Sequence, residues 1–381
     1  MSPKLSIVIP TYNMEKWLPV AVESCLAQTE PAIEVIIVND GSSDASPQIA
    51  DAYAASDDRV RVVHQENKGL GGARQAGQDA AQGEFITWLD ADDFLHEKAA
   101  EDMLGVAYRD DVKMVCGNAV VFSDKTFNTR RYFYKEPVAK TTFANPAYWK
   151  SKVVWRWILQ VDFLKSINLK HPHYKLSQDV CSMYEALTQV GEFSQCGSFF
   201  YYFRQDHKSP GNELSREVEH QLAHFCEVKR ILVEAETIKP LIKYLMENYF
   251  RDIKKIAPRL VGADAHWRER CIDISLEIFD GLQPEWFRDE YLAPELKSTP
   301  AMLPLVDALI ARDIQAIHAE FDVWRDKGRK VSAPDKDNAF HTMRRRIKAM
   351  FKPMSRDARS HLRGYEARAS KRLGALWSPK M

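Results

Sequence analysis

Three carboxylates lie within four positions of one another, directly after an apolar segment. Residues 83–89 have the composition of a buried strand, and Asp90, Asp92 and Asp93 follow. Carboxylates withdrawn from water repel one another and resist ionisation, so such a cluster needs a counter-charge. A divalent metal that carries a phosphorylated ligand supplies it, because hard cations take oxygen ligands and bridge to phosphates. Taken alone, the spacing is more typical of a solvated turn.

Other polar segments follow apolar runs earlier in the chain, namely 11–13 after the first run and 40–44 after the second. The runs that predict strands are 5–9, 33–38, 60–63 and 85–89, and the patterns that predict helices are 14–28, 46–55 and 70–81. This alternation predicts right-handed βαβ units and an open α/β sheet that is buried on both faces. Ligands bind at the carboxyl ends of such strands, where all three polar segments fall.

The overall composition is that of a globular protein with more than one domain. Of the 381 residues, 45% are hydrophobic and 28% are charged. The predicted organisation is a catalytic domain over 1–215, a mostly helical domain over 216–335 and a basic tail over 336–381. The irregular, aromatic-rich stretch 110–210 is interpreted as the acceptor-facing half of the first domain. The turn-forming residues 208–212 mark the expected boundary.

Several protein classes are disfavoured by what the sequence lacks. No apolar run approaches the roughly 20 residues of a membrane span, and the N-terminal residues show no signal-peptide pattern. Six cysteines are scattered with no C-x-x-C pair, which argues against a zinc site and a disulfide framework. We therefore expect a cytoplasmic protein.

The tail differs from the rest of the chain in charge. Residues 341–381 hold twelve Lys/Arg and two acids, a formal net charge of +10. Apolar residues recur there at close to helical spacing, which predicts a basic amphipathic helix on an anionic membrane surface, kinked or divided at Pro353. The alternatives are that the stripe packs on the helical domain or binds a protein partner. Nucleic acid is disfavoured, because the catalytic half shows no basic, aromatic-studded binding strand.

Four motifs together resemble glycosyltransferase family 2. They are SIVIPTYN at 6–13, EVIIVNDGSSD at 34–44, NKGLGGAR at 67–74 and LDADD at 89–93. The resemblance is specific over 5–93, fainter over 145–205 and absent beyond about 215. It implies an α/β GT-A (Rossmann-like) domain that uses a nucleotide-diphosphate sugar and inverts the anomeric configuration, here followed by a helical C-terminal region.

The resemblance also implies roles for individual residues. Tyr12 would pack on uracil, Asp40 would accept the uracil N–H, and Arg74 would reach the diphosphate. Asp90 would contact ribose or sugar, Asp92 would hold Mn²⁺ or Mg²⁺, and the metal would neutralise the leaving phosphate. The full predicted donor site is Pro10, Thr11, Tyr12, Asn13, Glu15, Asp40, Gly69, Arg74, Asp90, Ala91, Asp92 and Arg204. The alternatives are an exposed acid for Glu15 and a surface arginine on a helix for Arg74.

Structural roles are expected for three neighbouring positions. Ser43 and Asp44 belong to a turn that caps the next helix, and Asp93 is expected to be the N-cap of a helix near Phe94. The glycines of 69–74 do not have G-x-G-x-x-G spacing, which disfavours a dinucleotide site.

The reaction also needs a base to remove a proton from the acceptor hydroxyl. The family carries it on the aspartate of a Glu-Asp motif, and the matching positions here are Gln178 and Asp179, with glutamine in place of glutamate. Asp179 is the predicted base, and the alternative is a helix-start aspartate. In the segment 201–209, the resemblance makes Arg204 a candidate for the leaving diphosphate and His207 a candidate metal ligand. A solvated loop histidine is the alternative for His207.

These predictions converge on a metal-dependent inverting hexosyl- or N-acetylhexosaminyltransferase that adds a sugar from a UDP-sugar to a cell-surface glycan or glycolipid. Lipopolysaccharide, capsule and lipid-linked oligosaccharide are the expected products, made on the inner face of the plasma membrane. No Gln-x-x-Arg-Trp motif is present, which speaks against a processive synthase. The rivals are a sugar-phosphate nucleotidyltransferase and a catalytically inactive scaffold docked at the membrane.

Overall fold

A computed structural model describes residues 2–123, 128–174, 177–205, 213–260, 265–288, 302–331, 352–353 and 356–376. His207 and the predicted boundary at 208–212 lie outside these ranges, as does much of the tail between the helical region and Lys352.

Eleven strands within the described residues form one sheet. They are β1 (Leu5–Thr11), β2 (Ile33–Asp40), β3 (Val60–Gln65), β4 (Phe85–Trp88), β5 (Phe94–Leu95), β6 (Met114–Phe122), β7 (Asn128–Phe133), β8 (Val138–Thr142), β9 (Trp157–Gln160), β10 (Glu192–Arg204) and β11 (Lys352–Pro353). The main order is β11-β7-β6-β9-β4-β1-β2-β3, and β10 pairs with β5, β6 and β8.

The four predicted strands form the parallel centre of this sheet. β1 lies between β2 and β4, and β3 pairs with β2 on the far side, all in parallel. β1 and β2 are buried along their whole length, as their continuous apolar sequence requires. The carboxyl ends of these strands therefore meet at one edge, as predicted.

Six helices flank the sheet in the first half of the chain. They are α1 (Leu18–Leu26), α2 (Ser46–Ser56), α3 (Gly69–Ala80), α4 (Ala99–Asp110), α5 (Val161–Ser166) and α6 (Gln178–Gln189). The first predicted helix starts four positions late, at Leu18, and carries Pro19 in its first turn, where the missing N–H costs no helical hydrogen bond. The α/β class is thus confirmed.

Apart from the two-residue strand β11, the region after residue 213 is mostly helical where it is described, which confirms the predicted helical C-terminal region. Its α-helices are α7 (Leu214–Arg216), α8 (His224–Glu234), α9 (Ile238–Tyr244), α10 (Phe250–Ile256), α11 (Ala265–Phe279), α12 (Leu303–Ala311), α13 (Ile314–Val331) and α14 (Arg356–Leu373). Short π-helical turns at Glu217–Leu222 and Leu245–Tyr249 join α7 to α8 and α9 to α10.

The helical region packs directly against α6. Cys181 on α6 donates its S–H to the carbonyl oxygen of His224 on α8, at 3.9 Å. The His224 ring in turn forms a hydrogen bond of 2.8 Å with the Tyr244 hydroxyl on α9. Lys152 donates to Asn248 at 2.9 Å and places its ammonium 4.2 Å from the Tyr244 ring centroid. Burial lowers the pKa of Lys152 to about 8 and that of His224 to about 3.

The end of the chain packs on the α/β domain, which differs from the prediction of a free amphipathic helix. Leu362, Tyr365, Ala369 and Leu373 on α14 are buried in the same hydrophobic core as α1. The Tyr365 hydroxyl donates to the Leu95 carbonyl oxygen at 3.1 Å. This part of the predicted stripe is therefore occupied by protein rather than available to lipid, and its partner is the α/β domain rather than the helical region.

Some of the basic charge of the tail also has a partner inside the protein. Glu23 on α1 is fully buried, and Arg372 donates to its carboxylate at 3.0 Å while Arg368 lies 3.6 Å away. The Tyr53 hydroxyl donates to the same carboxylate at 3.2 Å. Burial raises the pKa of Glu23, and Arg372, Tyr53 and Arg368 oppose that rise.

Three further predictions can be compared with the structure. All six cysteines are free thiols, as predicted. No helix among the described residues combines the length and apolar character needed to cross a bilayer. Pro353 lies in the two-residue strand β11, which pairs with β7, and α14 begins after it at Arg356.

Candidate active site

The loops after β1 and β2 bind each other at the carboxyl edge of the sheet. The Asn13 backbone N–H donates to the Ser42 hydroxyl at 3.0 Å, and the Asn13 side-chain oxygen accepts from the Ser43 N–H at 2.8 Å. Asn13 adopts a φ of 54°, which asparagine tolerates better than most residues. The adjacent Tyr12 side chain is left 49% exposed, so its ring face is open at this edge.

Glu15 and Asp44 complete the link between the two loops. Asp44 accepts from the Glu15 N–H at 3.0 Å and from the Ser46 N–H at 2.9 Å, which caps the start of α2 as predicted. Glu15 accepts in return from the Ala45 N–H at 2.9 Å. The Glu15 carboxylate therefore serves the loop structure here, and its contact with a nucleoside stays a prediction.

Pro10, Thr11 and Asp40 lie at the floor of the same edge. Pro10 and Thr11 are buried within β1, and the Thr11 hydroxyl donates to the Ile9 carbonyl oxygen at 3.1 Å. Asp40 is nearly buried at the end of β2, beside Gly41, whose φ of 72° makes the tight turn.

The hydrogen bonds to Asp40 leave one of its oxygens for a ligand. The Gln65 amide donates to Oδ1 at 2.6 Å, and the Lys68 backbone N–H donates to the same atom at 2.8 Å. Within the described residues both contacts to Asp40 end on Oδ1. Oδ2 is thus available to accept from a ring N–H, as the predicted role requires.

Two glycines in the first turn of α3 lie where a larger side chain would not fit. Gly69 starts the helix with a φ of 75°. A Cβ on Gly71 would collide with the carbonyl oxygen of Pro172, and one on Gly72 would collide with the Lys68 side chain. The segment that contains Pro172 therefore lies directly against the N-terminus of α3, where backbone N–H groups favour anions.

Arg74 extends from this turn toward residues 90–93, which are called the acidic loop below. Its side chain is buried, and its Nη2 donates to Asp90 Oδ1 at 3.2 Å. Nε and Nη1 are buried and have no hydrogen-bond partner in the described structure. Unsatisfied buried donors are costly and rare, so they mark a position where a ligand acceptor is expected. Arg74 is therefore not a surface arginine, and its placement fits a phosphate contact.

The acidic loop is held from below by β10. The Tyr201 hydroxyl donates to Asp93 Oδ2 at 2.7 Å and accepts from the Asp90 N–H at 3.1 Å. Asp93 Oδ1 accepts from the Arg204 backbone N–H at 2.7 Å. The prediction that Asp93 caps a helix near Phe94 is wrong, because strand β5 follows and α4 begins only at Ala99. Long-range contacts to β10 replace the local cap.

Arg204 supports the same loop. Its side chain is buried, its Nε donates to the Asp92 carbonyl oxygen, and its guanidinium lies 4.1 Å from the Trp17 ring centroid. It therefore acts on the site through the position of Asp92, and direct contact with a diphosphate stays a prediction. Ala91, between the two acidic positions, is buried.

Burial and neighbouring carboxylates raise the pKa of Asp90 and of Asp93. Burial raises the pKa of Asp90, and the Asp92 and Asp179 carboxylates add to the rise while Arg74 opposes it. Burial and the same two neighbours in the loop, Asp92 and Asp90, raise the pKa of Asp93 well above its ordinary value. The Asp90 side chain is nevertheless 26% exposed, so its carboxylate is in contact with solvent.

Asp179 lies at the start of α6, near the acidic loop. The helix starts at Gln178 after Ser177, which has a φ of 60°, so Asp179 lies in the first turn, where the helix dipole favours a carboxylate. Its effect on the pKa of Asp90 shows that the two side chains lie within electrostatic reach. The structure thus brings together Arg74, Asp90, Asp92 and Asp179 from three separate elements.

The predicted metal can be tested against the donor set. Across the described residues, no group of three or more histidine, cysteine, aspartate or glutamate side chains is placed to hold a metal ion. The concentrated carboxylate charge around Asp92 fits a hard divalent cation, provided that phosphate oxygens of a ligand complete its coordination. His207, the other predicted ligand, lies outside the described residues.

Sequence reasoning missed the contribution of Tyr201. Its hydroxyl is the central support of the acidic loop, and burial together with Asp93 and Asp90 raises its pKa well above 10, so it stays a phenol. The sequence signal was the aromatic run 201–203 on a strand, but a pairing partner 108 residues away cannot be read from spacing.

Comparison with known proteins shows similarity to glycosyltransferases. Residues 6–158 match the family described as Glycosyl transferase family 2. The chain is 44% identical to glycosyltransferase GlyG of Streptococcus pneumoniae over 137 residues, 35% of this chain and 44% of that protein. It is 29% identical to the uncharacterized glycosyltransferase YibD of Escherichia coli over 245 residues, 60% of this chain and 70% of that protein.

Solved structures agree on the fold. S. aureus TarS 1–349 in complex with UDP-GlcNAc superimposes with a TM-score of 0.69 at 18% identity, over 85% of this chain and 92% of that one. The chain spans between 36% and 51% of the length of three similar curated relatives. The predicted GT-A fold is confirmed, and residues 6–158 are similar in sequence to glycosyl transferase family 2.

Proposed function

We propose that this protein is an inverting glycosyltransferase that moves a sugar from a UDP-sugar to a hydroxyl group of a glycan acceptor. The observation that carries the proposal is the cluster of the Asp90, Asp92 and Asp179 carboxylates beside the partly unsatisfied guanidinium of Arg74. The carboxylates suit a divalent metal ion, and the unpaired N–H groups of Arg74 suit phosphate oxygens. Together they suit a metal-bound diphosphate.

The donor nucleoside is proposed to lie between the first two loops. The exposed ring of Tyr12 offers a face for the base, and Asp40 Oδ2 accepts the N3–H of uracil, which cytosine lacks. Structures of TarS, which has a similar fold, were solved with UDP and with UDP-GlcNAc. This supports a uridine nucleotide in the donor and is compatible with a hexosamine as the transferred sugar.

The chemical step uses Asp179 as the base and Arg74 at the leaving diphosphate. Asp179 removes the proton from the acceptor hydroxyl group, and the hydroxyl oxygen forms a bond to the anomeric carbon of the donor sugar. The bond from that carbon to the β-phosphate oxygen breaks, and UDP departs with the electron pair. Attack opposite to the leaving group inverts the configuration. Arg74 donates to the diphosphate, and a Mn²⁺ or Mg²⁺ ion held by Asp92 would act as a Lewis acid on the leaving group.

The proposed setting is cell-surface glycan synthesis at the inner face of the plasma membrane. The similarity of this chain to bacterial glycosyltransferases supports the activity, and its basic tail supports contact with an anionic surface. Because much of the apolar face of α14 is buried against α1, membrane contact is proposed to rest on the basic residues, such as the exposed Arg363 and Lys371, rather than on an inserted stripe.

The test separates donor binding from chemistry. UDP with Mn²⁺ should raise the thermal midpoint of the wild-type protein more than CDP or ADP does, because a ligand that binds only the native state stabilises it. Asp92→Ala should lose most of the metal-dependent part of the shift. Asp179→Asn should keep the shift and lose sugar transfer, measured as UDP release from a UDP-sugar panel with bacterial lipid extract as acceptor.

Two outcomes would contradict the proposal. No stabilisation by any uridine nucleotide would remove the donor site, and would favour the membrane-docked scaffold. Full transfer activity in Asp179→Asn would show that the base lies elsewhere. Asp162→Asn, at an exposed position near the start of α5, is the matched control and should change neither measurement.

A further inference from the structure

A column of aromatic rings runs from the acidic loop to the protein surface. It starts at Tyr201, whose hydroxyl contacts the loop, and the Trp155 ring stacks on it with centroids 4.2 Å apart and planes at 21°. Phe203 lies 5.9 Å from Trp155 at 17°. Tyr132 lies 5.5 Å from Phe203 at 28° and 6.2 Å from Trp155 at 24°. The four rings are therefore close to parallel.

The outermost ring, Tyr132, is the exposed end of this column. Trp155 and Tyr201 are buried, whereas Tyr132 on β7 is 39% exposed. Because stacking already fixes this ring, a ligand that covers its exposed apolar face gains free energy at little cost in side-chain entropy.

The column connects Tyr132 to the acidic loop. Its inner ring, Tyr201, holds Asp90 and Asp93 through its hydroxyl group. Burial raises the pKa of the Tyr132 phenol, Arg130 and Arg156 oppose the rise, and the Asp179 carboxylate adds to it. Asp179 therefore lies within electrostatic reach of both the acidic loop and Tyr132.

We infer that Tyr132, backed by Phe203 and Trp155, is the platform on which a sugar ring of a carbohydrate acceptor packs, at the outer end of the column that supports the acidic loop. A pyranose has faces that carry C–H groups and an edge that carries hydroxyls, so an aromatic ring can cover a face while the hydroxyls remain free for proton removal. The inference rests on the proposed function, and it names the acceptor as a saccharide rather than a protein side chain or a simple lipid alcohol.

Arg130 adds polar groups at the rim of the platform. Its guanidinium lies 5.5 Å from the Tyr132 ring centroid, on the same strand. Guanidinium N–H groups can donate to sugar hydroxyls or to an acidic substituent on the sugar. An apolar face beside directional donors is the usual composition of a small-molecule site.

The test measures sugar binding and donor binding separately. Saturation-transfer difference NMR of the full chain with UDP present, using cellobiose, lactose and chitobiose as probes, should show signal on ring C–H protons of at least one disaccharide. Tyr132→Ala should weaken that binding by roughly three- to tenfold, the range expected for one aromatic contact. Tyr132→Phe should retain it, because the ring face is kept.

Tyr134→Ala is the matched control. Tyr134 is similarly exposed at 43% and stacks on Phe199, which is outside the column that leads to Tyr201. It should leave disaccharide binding unchanged. Stabilisation by UDP should be the same in all of these variants, which also reports that each one is folded.

Each pattern of results decides one of the two ideas. If UDP stabilises the protein and no disaccharide signal depends on Tyr132, the platform is refuted and the proposed transferase stands. If a disaccharide signal depends on Tyr132 and no uridine nucleotide binds, the saccharide platform stands and the proposed donor is wrong. Equal loss in Tyr132→Ala and Tyr134→Ala would also refute a specific platform.

Discussion

Replacing Tyr365 by alanine tests whether the end of the chain is a structural part of the α/β domain. The Tyr365 ring is fully buried between α14 and the core and lies 5.8 Å from the Phe94 ring, in an edge-to-face arrangement. Its hydroxyl donates to the Leu95 carbonyl oxygen. A helix that became ordered only at a membrane would not make these contacts in solution.

The magnitude follows from what the substitution removes. Truncating a fully buried aromatic side chain to alanine costs about 3–5 kcal/mol in a folded core. Loss of the hydroxyl contact leaves the Leu95 carbonyl oxygen without that donor, which adds to the cost. The loss cannot exceed the free energy that docks α14, so a result at the low end would mean that the helix detaches locally while the rest stays folded.

The assay combines chemical denaturation with hydrogen exchange. Tyr365→Ala should lower the free energy of unfolding, and the amides of α14 should exchange much faster than in the wild type without any lipid present. Arg363→Ala, at an exposed position on the same helix, should change stability by less than about 0.5 kcal/mol. The reasoning is refuted if Tyr365→Ala behaves like Arg363→Ala, or if wild-type α14 is protected only when anionic vesicles are added.

Three further outcomes follow from buried contacts. Tyr201→Phe should cost about 1.5–3 kcal/mol, because a buried carboxylate loses its donor, and should weaken UDP stabilisation in the same thermal assay. Burial lowers the pKa of both His171 and His224 to about 3, so each imidazole stays neutral in the fold and binds a proton only on unfolding as the pH falls below about 6.5. The free energy of unfolding should therefore drop between pH 7 and pH 5 by about 2 kcal/mol per histidine. His224→Gln should flatten the slope of the unfolding free energy against pH. An unchanged slope would contradict the neutral, buried state of His224. Gly71→Ala should destabilise by about 1–3 kcal/mol through overpacking, whereas Gly105→Ala, which meets open space within α4, should be neutral or stabilising by up to about 1 kcal/mol in the same denaturation experiment.

The sequence by itself predicted the central sheet and the edge where the candidate site lies. The four apolar runs indicated strands, and polar residues at their carboxyl ends had to meet at one edge. β1, β2 and β4 are buried along their whole length, whereas β3 at the side of the sheet is only partly buried. Asp40, Asp90 and Asp92 were placed at this edge because they lie at the ends of their strands or shortly after them. The helical region was predictable for a similar reason, since its apolar spacing is local and repeated.

Only the tertiary structure decided what depends on contacts between distant segments. Asp93 looked like a local helix cap, and it is instead held by Tyr201 and the Arg204 backbone N–H on β10. The amphipathic pattern of α14 was evident in the sequence, but amphipathicity does not say which apolar surface will cover it. The carboxylate of Glu23 is buried on α1 and pairs with arginines of α14 almost 350 positions later in the sequence. This ion pairing fixes α14 against the α/β domain. Spacing fixes which residues share a face, and only packing fixes what that face meets.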